Sequence, residues 1–330
     1  MNIAINGFGR IGKQFFLASM EQNVNWKFII NDVTPLDNLV YSLKYDSVHP
    51  SPNVNISHDG KNLIFGKLKI PVYQELDPLK LPWKKENIDL VVESSGFFTN
   101  REDAQKHIKA GAKRVLISAP AKNHDCTIVF GVNSQVLKNK DIIVSAGSCT
   151  TNCIAPIVKI LNDNYKIEEA HFVTTHAYTS TQKLIDSHDK KDMRRGRSAP
   201  HNIIPSTSGA SQSVVESIPE LKGKLEGYAL RVPVIDGSIS SIFARVSRKA
   251  TKEEINSLFK KCSLKEYKDI LQYTEEQIVS SDIIHNKYSC IFDATITNVT
   301  GNLISVAGWY DNEWGYSNRL VDVVKLMIQK

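Results

Sequence analysis

The chain has 330 residues, which at about 150 residues per domain predicts two domains. Hydrophobic residues make up 42% and charged residues 23%, proportions that exclude a disordered, collagen-like or coiled-coil chain. The 41 basic and 35 acidic residues leave a mild net charge of +6. A nucleic-acid-binding protein usually has a longer basic face with interleaved aromatics, so no nucleic-acid partner is required.

Cysteine usage and the N-terminal sequence bear on the compartment. Five cysteines without a disulfide spacing favour a reducing environment. No segment approaches the roughly 18 uninterrupted apolar residues of a membrane span, and the first residues lack the pattern of a signal peptide. We therefore expect a cytoplasmic protein without a membrane partner.

The first part of the chain alternates strand and helix patterns. Strands are predicted at Ile3–Asn6, Trp26–Asn31, Ile88–Val92, Arg114–Ser118 and Ile142–Ser145. Helices are predicted at Arg10–Met20 and Arg101–Ala110, the second ending at Gly111. Apolar runs of this kind are typical of buried parallel strands covered on both faces, so residues 1–148 are expected to form a doubly wound parallel sheet of the α/β class.

The pattern changes after about residue 148. Alternating segments predict strands at Glu169–Tyr178, Tyr228–Val232, Ser238–Ser247, Tyr288–Thr297 and Asn302–Tyr310, and helices are predicted at Glu253–Lys261 and Gly315–Ile328. The alternation indicates a mostly antiparallel sheet with one covered face. We expect residues 149–312 to form an α+β catalytic domain, with the C-terminal helix (313–330) packing back onto the first domain.

A glycine-rich turn follows the first predicted strand and opens the first predicted helix. Gly7, Gly9 and Gly12 form a G-x-G-x-x-G pattern, and Asp32 lies 20 residues after the last glycine. The glycines permit a tight turn and close approach of a pyrophosphate to the helix N-terminus. A carboxylate after the second strand accepts hydrogen bonds from an adenosine ribose and repels a 2′-phosphate. The pattern predicts a Rossmann-type dinucleotide site, with NAD as cofactor.

A candidate nucleophile stands at the start of a second helix. Cys149 follows a predicted strand and precedes an apolar stretch, so the helix dipole would stabilise its thiolate. Cys153, one turn further on, fits a buried structural thiol. A cysteine nucleophile needs a nearby base, and His176 on an alternating strand is the candidate. Sequence alone does not place these two side chains together, and a core histidine or an inert cysteine are the alternatives.

A basic cluster at Lys190, Lys191, Arg194, Arg195 and Arg197 favours an anionic ligand, although such runs are often only solvated surface. Together with a dinucleotide fold and a cysteine at a helix start, it indicates oxidation of an aldehyde through a thioester. Two other classes remain open. A cysteine hydrolase or transferase would leave the glycine turn and Asp32 unexplained, and no sequence feature isolates an RNA-binding role.

Several motifs, in order along nearly the whole chain, resemble one family. They are NGFGRIG at Asn6–Gly12, SCTTNC at Ser148–Cys153, HAYTSTQ at His176–Gln182, IIPSTSGA at Ile203–Ala210, PELKGKL at Pro219–Leu225, RVP at Arg231–Pro233 and WYDNEWGYSN at Trp309–Asn318. The chain resembles the bacterial-type, NAD-dependent phosphorylating glyceraldehyde-3-phosphate dehydrogenases. The resemblance implies oxidation of glyceraldehyde 3-phosphate with inorganic phosphate, with Cys149 as nucleophile and His176 as base. It implies no metal.

The resemblance also implies binding residues. For the phosphate of the substrate these are Thr179, Thr181 and Arg231, and for the attacking phosphate Ser148, Thr150, Arg194, Ser208 and Gly209. For the cofactor they are Gly7, Gly9, Arg10, Ile11, Gly12, Asp32, Gly96, Ser118, Asn312 and Tyr316. A homotetramer is implied as well, in which a long loop at about Tyr178–Pro200 reaches a neighbouring subunit.

Departures from the family pattern bear on cofactor choice. Leu76 stands where many members have an arginine beside the adenine, and Asp186-Ser187-His188 lacks a proline common in NAD-specific members. A sister enzyme that oxidises erythrose 4-phosphate and releases the acid to water is the nearest alternative. The retained hydroxyl, glycine and arginine residues of the second phosphate site favour phosphorolysis.

Overall fold

The computed structural model describes residues 1–190 and 192–330, so Lys191 of the basic cluster lies outside the described residues. The chain divides into two compact units. Unit 1 comprises residues 1–128, 134–147 and 317–330, and unit 2 comprises residues 129–133 and 148–316. Within the described ranges, no helix combines the length and the apolar composition needed to cross a bilayer.

Unit 1 contains a nine-stranded sheet. Its strands are β1 (Asn2–Asn6), β2 (Lys27–Asn31), β3 (Ile56–His58), β4 (Asn62–Phe65), β5 (Leu68–Tyr73), β6 (Leu90–Glu93), β7 (Arg114–Ile117), β8 (Cys126–Thr127) and β9 (Ile143–Ser145). Its helices are α1 (Arg10–Glu21), α2 (Leu36–Lys44) and α3 (Arg101–Lys109). The predicted strands and helices of this region are present, with ends displaced by at most two residues.

The strand order is β3-β4-β5-β2-β1-β6-β7-β9-β8, and every pair from β5 to β8 is parallel. The strands β3 to β5 form an antiparallel extension that the sequence patterns did not predict. From β1 the chain passes to β2 on one side and later to β6 on the other. In sheets of this kind, ligands bind at the carboxyl ends of the strands where the order reverses, which here is between β1 and β6.

Unit 2 is built on an eight-stranded sheet. Its strands are β10 (Ile167–Ala177), β11 (Ile204–Thr207), β12 (Leu225–Val232), β13 (Ser238–Val246), β14 (Leu271–Thr274), β15 (Cys290–Asp293), β16 (Asn298–Thr300) and β17 (Leu303–Tyr310). Its helices are α4 (Cys149–Tyr165), α5 (Ala210–Ser217) and α6 (Lys252–Leu264). The last helix of the chain is α7 (Trp314–Gln329).

The sheet of unit 2 is mostly antiparallel, as predicted, but two of its pairs are parallel, β10 with β12 and β14 with β15. One face is covered by helices, and alternate residues of β13 face this core. The strand predicted at Tyr288–Thr297 is wrong over its second half. Asp293 ends β15 because its carboxylate accepts hydrogen bonds from the backbone and hydroxyl of Thr295 and so caps a short 3₁₀ turn at Ala294–Ile296.

Candidate functional site

The glycine turn of unit 1 has the close contacts that its sequence predicts. Gly7 has a φ of +90°, and a Cβ there would lie 2.5 Å from the Ser95 backbone. A Cβ on Gly12 would lie 2.1 Å from the Gly7 carbonyl oxygen. Around the Cβ position of Gly9, by contrast, there is nothing within 4 Å. Close packing therefore leaves no room for a side chain at Gly7 or Gly12, whereas the space beside the Gly9 backbone is open.

The N-terminus of α1 is suited to an anion. Gly9 is the N-cap residue, no side chain caps the helix, and the first turn contains no acidic residue. The N–H groups of such a turn, together with the helix dipole, favour phosphate. The side chain of Arg10 is bound to Asp46 at 2.5 Å, so this arginine would meet a ligand through its backbone.

Asp46 holds the side chains at the start of α1. Burial disfavours its ionisation, but hydrogen bonds, the strongest from Lys13, outweigh burial and keep the pKa of Asp46 well below its usual value. Lys13 and Arg10 both reach the same carboxylate oxygen, at 2.5 Å. The charges nearest the turn are therefore paired with each other.

Asp32 is held in place by backbone groups. One of its carboxylate oxygens accepts the Phe8 N–H at 2.6 Å, and the other accepts the Thr34 N–H at 2.8 Å. Each oxygen keeps a lone pair for a further donor. The carboxylate therefore follows β2 in a fixed orientation and is partly exposed.

Two further candidate residues follow neighbouring strands. Gly96 is exposed, has a φ of +79°, and would have nothing within 4 Å of its Cβ. Ser118 follows β7, and its hydroxyl donates to the Glu93 carbonyl at 2.9 Å. Leu76 is 78% exposed, so its apolar surface is available to a flat ligand group such as a base.

In unit 2, Cys149 is the first residue of α4. Ser148 caps this helix by accepting the Thr151 N–H at 3.0 Å, and the Thr151 hydroxyl accepts the Ser148 N–H at 3.1 Å. This reciprocal pair is a capping box, which fixes the start of the helix. Cys149 thus lies where the helix dipole favours negative charge on sulfur.

The structure brings Cys149 and His176 together, as the aldehyde chemistry requires. The Cys149 Sγ lies 3.4 Å from His176 Nε2. The other ring nitrogen, Nδ1, lies 2.7 Å from the Ala177 carbonyl oxygen, which can only accept. Nδ1 therefore carries the proton, and Nε2 is the unprotonated nitrogen that faces the thiol.

Burial keeps this pair neutral. It raises the pKa of the Cys149 thiol to about 11, although the positive charge of Arg231 acts in the opposite direction. It lowers the pKa of His176 to about 3, and Arg231 adds to that effect. At neutral pH the resting pair is therefore a thiol and an imidazole, and the imidazole is ready to accept the thiol proton.

Arg231 reaches the pair through the parallel pairing of two strands. It lies opposite His176 in the register of β10 with β12, and its guanidinium donates to the Ala177 carbonyl at 3.3 Å. The hydroxyls of Thr179 and Thr181, which follow β10, lie 3.1 Å apart. A cation and a pair of hydroxyls just beyond the end of β10 are groups that bind phosphate.

The residues predicted for a second anion site lie on three segments. Gly209 caps α5 without a side-chain hydrogen bond, and Ser208 accepts the Ala210 N–H at 3.2 Å. Arg194 is exposed, in a short 3₁₀ turn at Met193–Gly196. The Ser148 hydroxyl is engaged in capping α4, so its availability to an anion is limited. Lys190 is exposed, in keeping with a solvated residue.

Tyr310 is a site residue to which sequence analysis gave no role. Its hydroxyl lies 2.9 Å from the Thr150 hydroxyl and 2.7 Å from that of Thr174, and its ring meets the His176 ring edge-on at 5.8 Å. Thr150 therefore shares its hydroxyl with a buried tyrosine. Tyr310 lies within the WYDNEWGYSN motif, and this was the sequence feature that could have indicated a role for it.

Asn312 has a defined amide orientation. Its Oδ1 accepts the Ser238 hydroxyl at 2.7 Å, which identifies Nδ2 as the donor end of the amide. Tyr316 is buried, and burial raises the pKa of its hydroxyl.

A glycine turn on a doubly wound sheet, together with a cysteine beside an unprotonated imidazole nitrogen, is typical of a dinucleotide-dependent oxidoreductase. Comparison with known proteins agrees. A family model described as the NAD binding domain of glyceraldehyde 3-phosphate dehydrogenase matches residues 1–101, and one for its C-terminal domain matches residues 148–312. The chain belongs to the glyceraldehyde-3-phosphate dehydrogenase family.

Curated relatives match the chain over nearly its whole length. Glyceraldehyde-3-phosphate dehydrogenase 1 of Bacillus subtilis is 45% identical over 333 residues, covering 100% of this chain and 99% of the relative. Glyceraldehyde-3-phosphate dehydrogenase 2 of Streptomyces avermitilis is 44% identical over 326 residues, covering 98% and 97%. Glyceraldehyde-3-phosphate dehydrogenase 1 of the yeast Kluyveromyces marxianus is 45% identical over 327 residues, covering 98% and 99%.

Replacing the base tests the geometry of the pair. His176→Asn is expected to slow alkylation of Cys149 by iodoacetamide at pH 7 by about tenfold or more, because no group then accepts the thiol proton. The rate in this variant should continue to rise above pH 9, since burial raises the thiol pKa to about 11. Mass spectrometry of the Cys149 peptide measures the rate.

His171→Asn is the matched control. His171 lies on the same strand but is exposed, so its replacement should leave the alkylation rate unchanged. Equal rates in wild type and His176→Asn would contradict a role of His176 as the base.

Proposed function

We propose that this enzyme oxidises D-glyceraldehyde 3-phosphate with NAD and inorganic phosphate, giving 1,3-bisphosphoglycerate and NADH through a thioester on Cys149. The observation that carries the proposal is the 3.4 Å approach of Sγ to an Nε2 whose tautomer is fixed by Ala177. Membership of the family supplies the substrate class, and the site supplies the groups that the chemistry needs.

Cys149 and His176 move the protons of the reaction. The thiol proton passes to Nε2 as sulfur attacks the aldehyde carbon, and Nε2 returns it to the carbonyl oxygen, giving a thiohemiacetal. His176 then accepts the hydroxyl proton as hydride leaves the same carbon. Bound NAD supplies the acceptor for that hydride. The product on the enzyme is a thioester.

Inorganic phosphate completes the cycle. His176 first releases to solvent the proton that it took from the thiohemiacetal. A phosphate oxygen then attacks the thioester carbon, the carbon–sulfur bond breaks, and the phosphate proton ends on the Cys149 sulfur through His176. The acyl group leaves as an acyl phosphate, so the energy of the oxidation is kept in an anhydride. Hydrolysis of the thioester by water would dissipate this energy, because the product would be a free acid.

We assign the two anion sites as follows. Arg231, Thr179 and Thr181 bind the phosphate of the substrate, supported by their positions at the ends of β10 and β12. The attacking phosphate is bound by residues at the starts of α4 and α5 and by Arg194: Ser148, Thr150, Ser208, Gly209 and Arg194. Because the side-chain hydroxyls of Ser148 and Thr150 already have partners, we assign their contribution mainly to backbone N–H groups.

For NAD, the open space at Gly9 and the uncapped start of α1 fit a pyrophosphate held by the N–H groups of Arg10 and Ile11. Asp32 would accept hydrogen bonds from the adenosine ribose. The remaining cofactor contacts are assigned to Gly7, Gly12, Gly96, Ser118, Asn312 and Tyr316. In this scheme residues 1–148 with helix 313–330 bind the cofactor, and residues 149–312 bind the substrate.

The proposed reaction is tested by its requirement for phosphate. Purified enzyme with glyceraldehyde 3-phosphate and NAD should form NADH in sustained turnover only when inorganic phosphate is present, as followed at 340 nm. The Cys149→Ser variant should bind NAD but show no turnover. Sustained NADH formation without phosphate would indicate the hydrolytic oxidation instead, and normal turnover of Cys149→Ser would exclude the thioester.

Cofactor choice is tested at Asp32. We expect Asp32→Gly to raise kcat/KM for NADP relative to NAD by about tenfold or more, because the repulsion between the carboxylate and a 2′-phosphate is removed. Asp37→Asn, a loss of the same charge at an exposed position of α2, is the control and should leave the ratio unchanged. An unchanged ratio in Asp32→Gly would place Asp32 away from the ribose.

We further propose a cytoplasmic homotetramer. The segment 178–200 exposes large apolar side chains, with Leu184 at 72%, Ile185 at 79% and Met193 at 88%, which is the composition of a surface covered by assembly. Light scattering of the purified protein should give about four times the 37.0 kDa mass of one chain. A mass of one chain at micromolar concentration would contradict the tetramer.

A further inference from the structure

A buried polar network lies at the carboxyl ends of three neighbouring strands of unit 1. Its members are Asn6, Asn31, Trp83, Glu93 and His107, each at most 4% exposed. Asn6, Asn31 and Glu93 are the last residues of β1, β2 and β6. Since these strands are adjacent in the order β2-β1-β6, the three side chains lie side by side beneath the edge where a ligand binds.

The network is a chain of four hydrogen bonds. Asn31 Nδ2 donates to Asn6 Oδ1 at 2.7 Å, and Asn6 Nδ2 donates to Glu93 Oε2 at 2.6 Å. His107 Nε2 lies 3.0 Å from the same oxygen, and the Trp83 indole N–H donates to His107 Nδ1 at 3.0 Å. Because an indole N–H only donates, His107 Nδ1 accepts, and the imidazole donates from Nε2 to Glu93.

Glu93 receives donors on both oxygens. Besides Asn6 and His107 on Oε2, the backbone N–H of Ser95 donates to Oε1 at 2.8 Å, and the Ser95 hydroxyl donates to the same atom. Four donors use the full acceptor capacity of an ionised carboxylate. An amide at this position would place its own N–H groups against one of these donor pairs, which is why the site is specific for a carboxylate.

Each strand end in the network is followed by a residue assigned to the cofactor. Gly7 follows Asn6 directly, Asp32 follows Asn31 directly, and Gly96 follows Glu93 by three residues. The turn after β1 is bonded to its neighbours by the Gly7 N–H, which donates to the Asn31 carbonyl at 2.9 Å.

The turn after β6 is organised by Glu93 itself. Glu93 fixes Ser95, and the Ser95 hydroxyl accepts the Phe97 N–H at 3.2 Å across Gly96. The preceding Ser94 donates its hydroxyl to the Gly7 carbonyl at 2.7 Å. The carboxylate therefore links the conformation of this turn to that of the glycine turn.

We propose that Glu93 is a positioning residue for NAD, which holds the turns after β1 and β6 in the binding conformation through Asn6 and Ser95 and is itself oriented by His107 and Trp83. The proposal rests on the proposed binding of NAD to unit 1. Affinity is gained because the loops need no ordering when the cofactor arrives.

The test is Glu93→Gln in the full chain, which keeps the shape and replaces one acceptor oxygen by a donor. The Kd for NAD, measured by calorimetry, and the KM for NAD are expected to rise about tenfold. The KM for glyceraldehyde 3-phosphate and the rate of Cys149 alkylation are expected to stay within twofold of wild type. A general loss of structure would change all four values together.

Asp141→Asn is the matched control. Asp141 is also a buried carboxylate of unit 1, 7% exposed, and accepts the Lys138 N–H at 2.8 Å outside the network. Its replacement should leave the Kd for NAD unchanged. If both variants weaken NAD binding equally, the effect is one of general stability and the proposal fails.

A second substitution tests the polarity of the network. Asn6→Asp combined with Glu93→Gln reverses donor and acceptor across the hydrogen bond between these two side chains and leaves an acceptor for Asn31. The double variant is expected to recover at least threefold of the lost NAD affinity. If Glu93→Gln does not fold, Ser95→Ala, which removes one donor to Oε1, is expected to raise the Kd about threefold.

A folded Glu93→Gln whose Kd for NAD lies within twofold of wild type would overturn the proposal, as would an unchanged Kd for Ser95→Ala where Glu93→Gln does not fold. Absence of any affinity of the wild-type chain for NAD would instead refute the cofactor assignment on which the proposal rests. The two failures are therefore distinguishable.

Discussion

The site in unit 2 depends on the peptide groups of one residue, Ala177. Its carbonyl accepts from His176 Nδ1 and from Arg231, and its N–H donates to the Ser238 hydroxyl, which in turn donates to Asn312. The tautomer of His176, the position of the Arg231 guanidinium and the orientation of the Asn312 amide are thus all tied to a single backbone position. No substitution of Ala177 other than proline removes these groups, since the main chain supplies them.

Next to His176, buried hydroxyl groups form a hydrogen-bonded chain. Tyr310 and Thr174 are buried, and Ser240 donates to the Thr174 hydroxyl at 3.0 Å. Burial raises the pKa of Tyr310 well above its usual value, so the phenol stays protonated and continues to serve as a neutral member of the chain. A hydroxyl chain of this kind orients Thr150 at the start of α4 without placing a charge beside the thiol.

The sequence allowed prediction of those features that depend on short stretches of the chain, such as the glycine turn and the buried strands of unit 1. The glycine turn was predictable because its spaced glycines stand between a strand pattern and a helix pattern, although the backbone that excludes a side chain at Gly7 is that of Ser95, remote in sequence. The strands of unit 1 were predictable because continuous apolar runs mark buried parallel strands. The strand at 288–297 was overextended because the hydrogen bonds of Asp293 that end it involve side-chain geometry. An alternating pattern indicates a strand but not the strand with which it pairs, so the parallel pairing of β10 with β12 was not predicted.

The contacts between remote residues needed the structure. Cys149 and His176 are 27 residues apart, and their 3.4 Å approach follows from how α4 packs on the sheet. The motifs pointed to both residues, but not to the Ala177 carbonyl that selects the tautomer. Tyr310 was missed because an aromatic residue at the end of a strand fits a core position equally well whether or not its hydroxyl is used. His107 and Glu93 carry no motif and are recognisable only by their burial.

In the proposed scheme, the parallel pairing of His176 with Arg231 makes binding of the substrate phosphate depend on the alignment of β10 with β12. Neighbouring residues of a strand point to opposite faces, so a shift of β12 by one position would turn the guanidinium away from the face that holds the imidazole. β12 is bordered on its outer side by the four-residue edge strand β11. In the proposed scheme, substitutions in this short edge strand would act on the binding of the substrate phosphate through the alignment of β12, although the strand contains none of the residues assigned to the reaction.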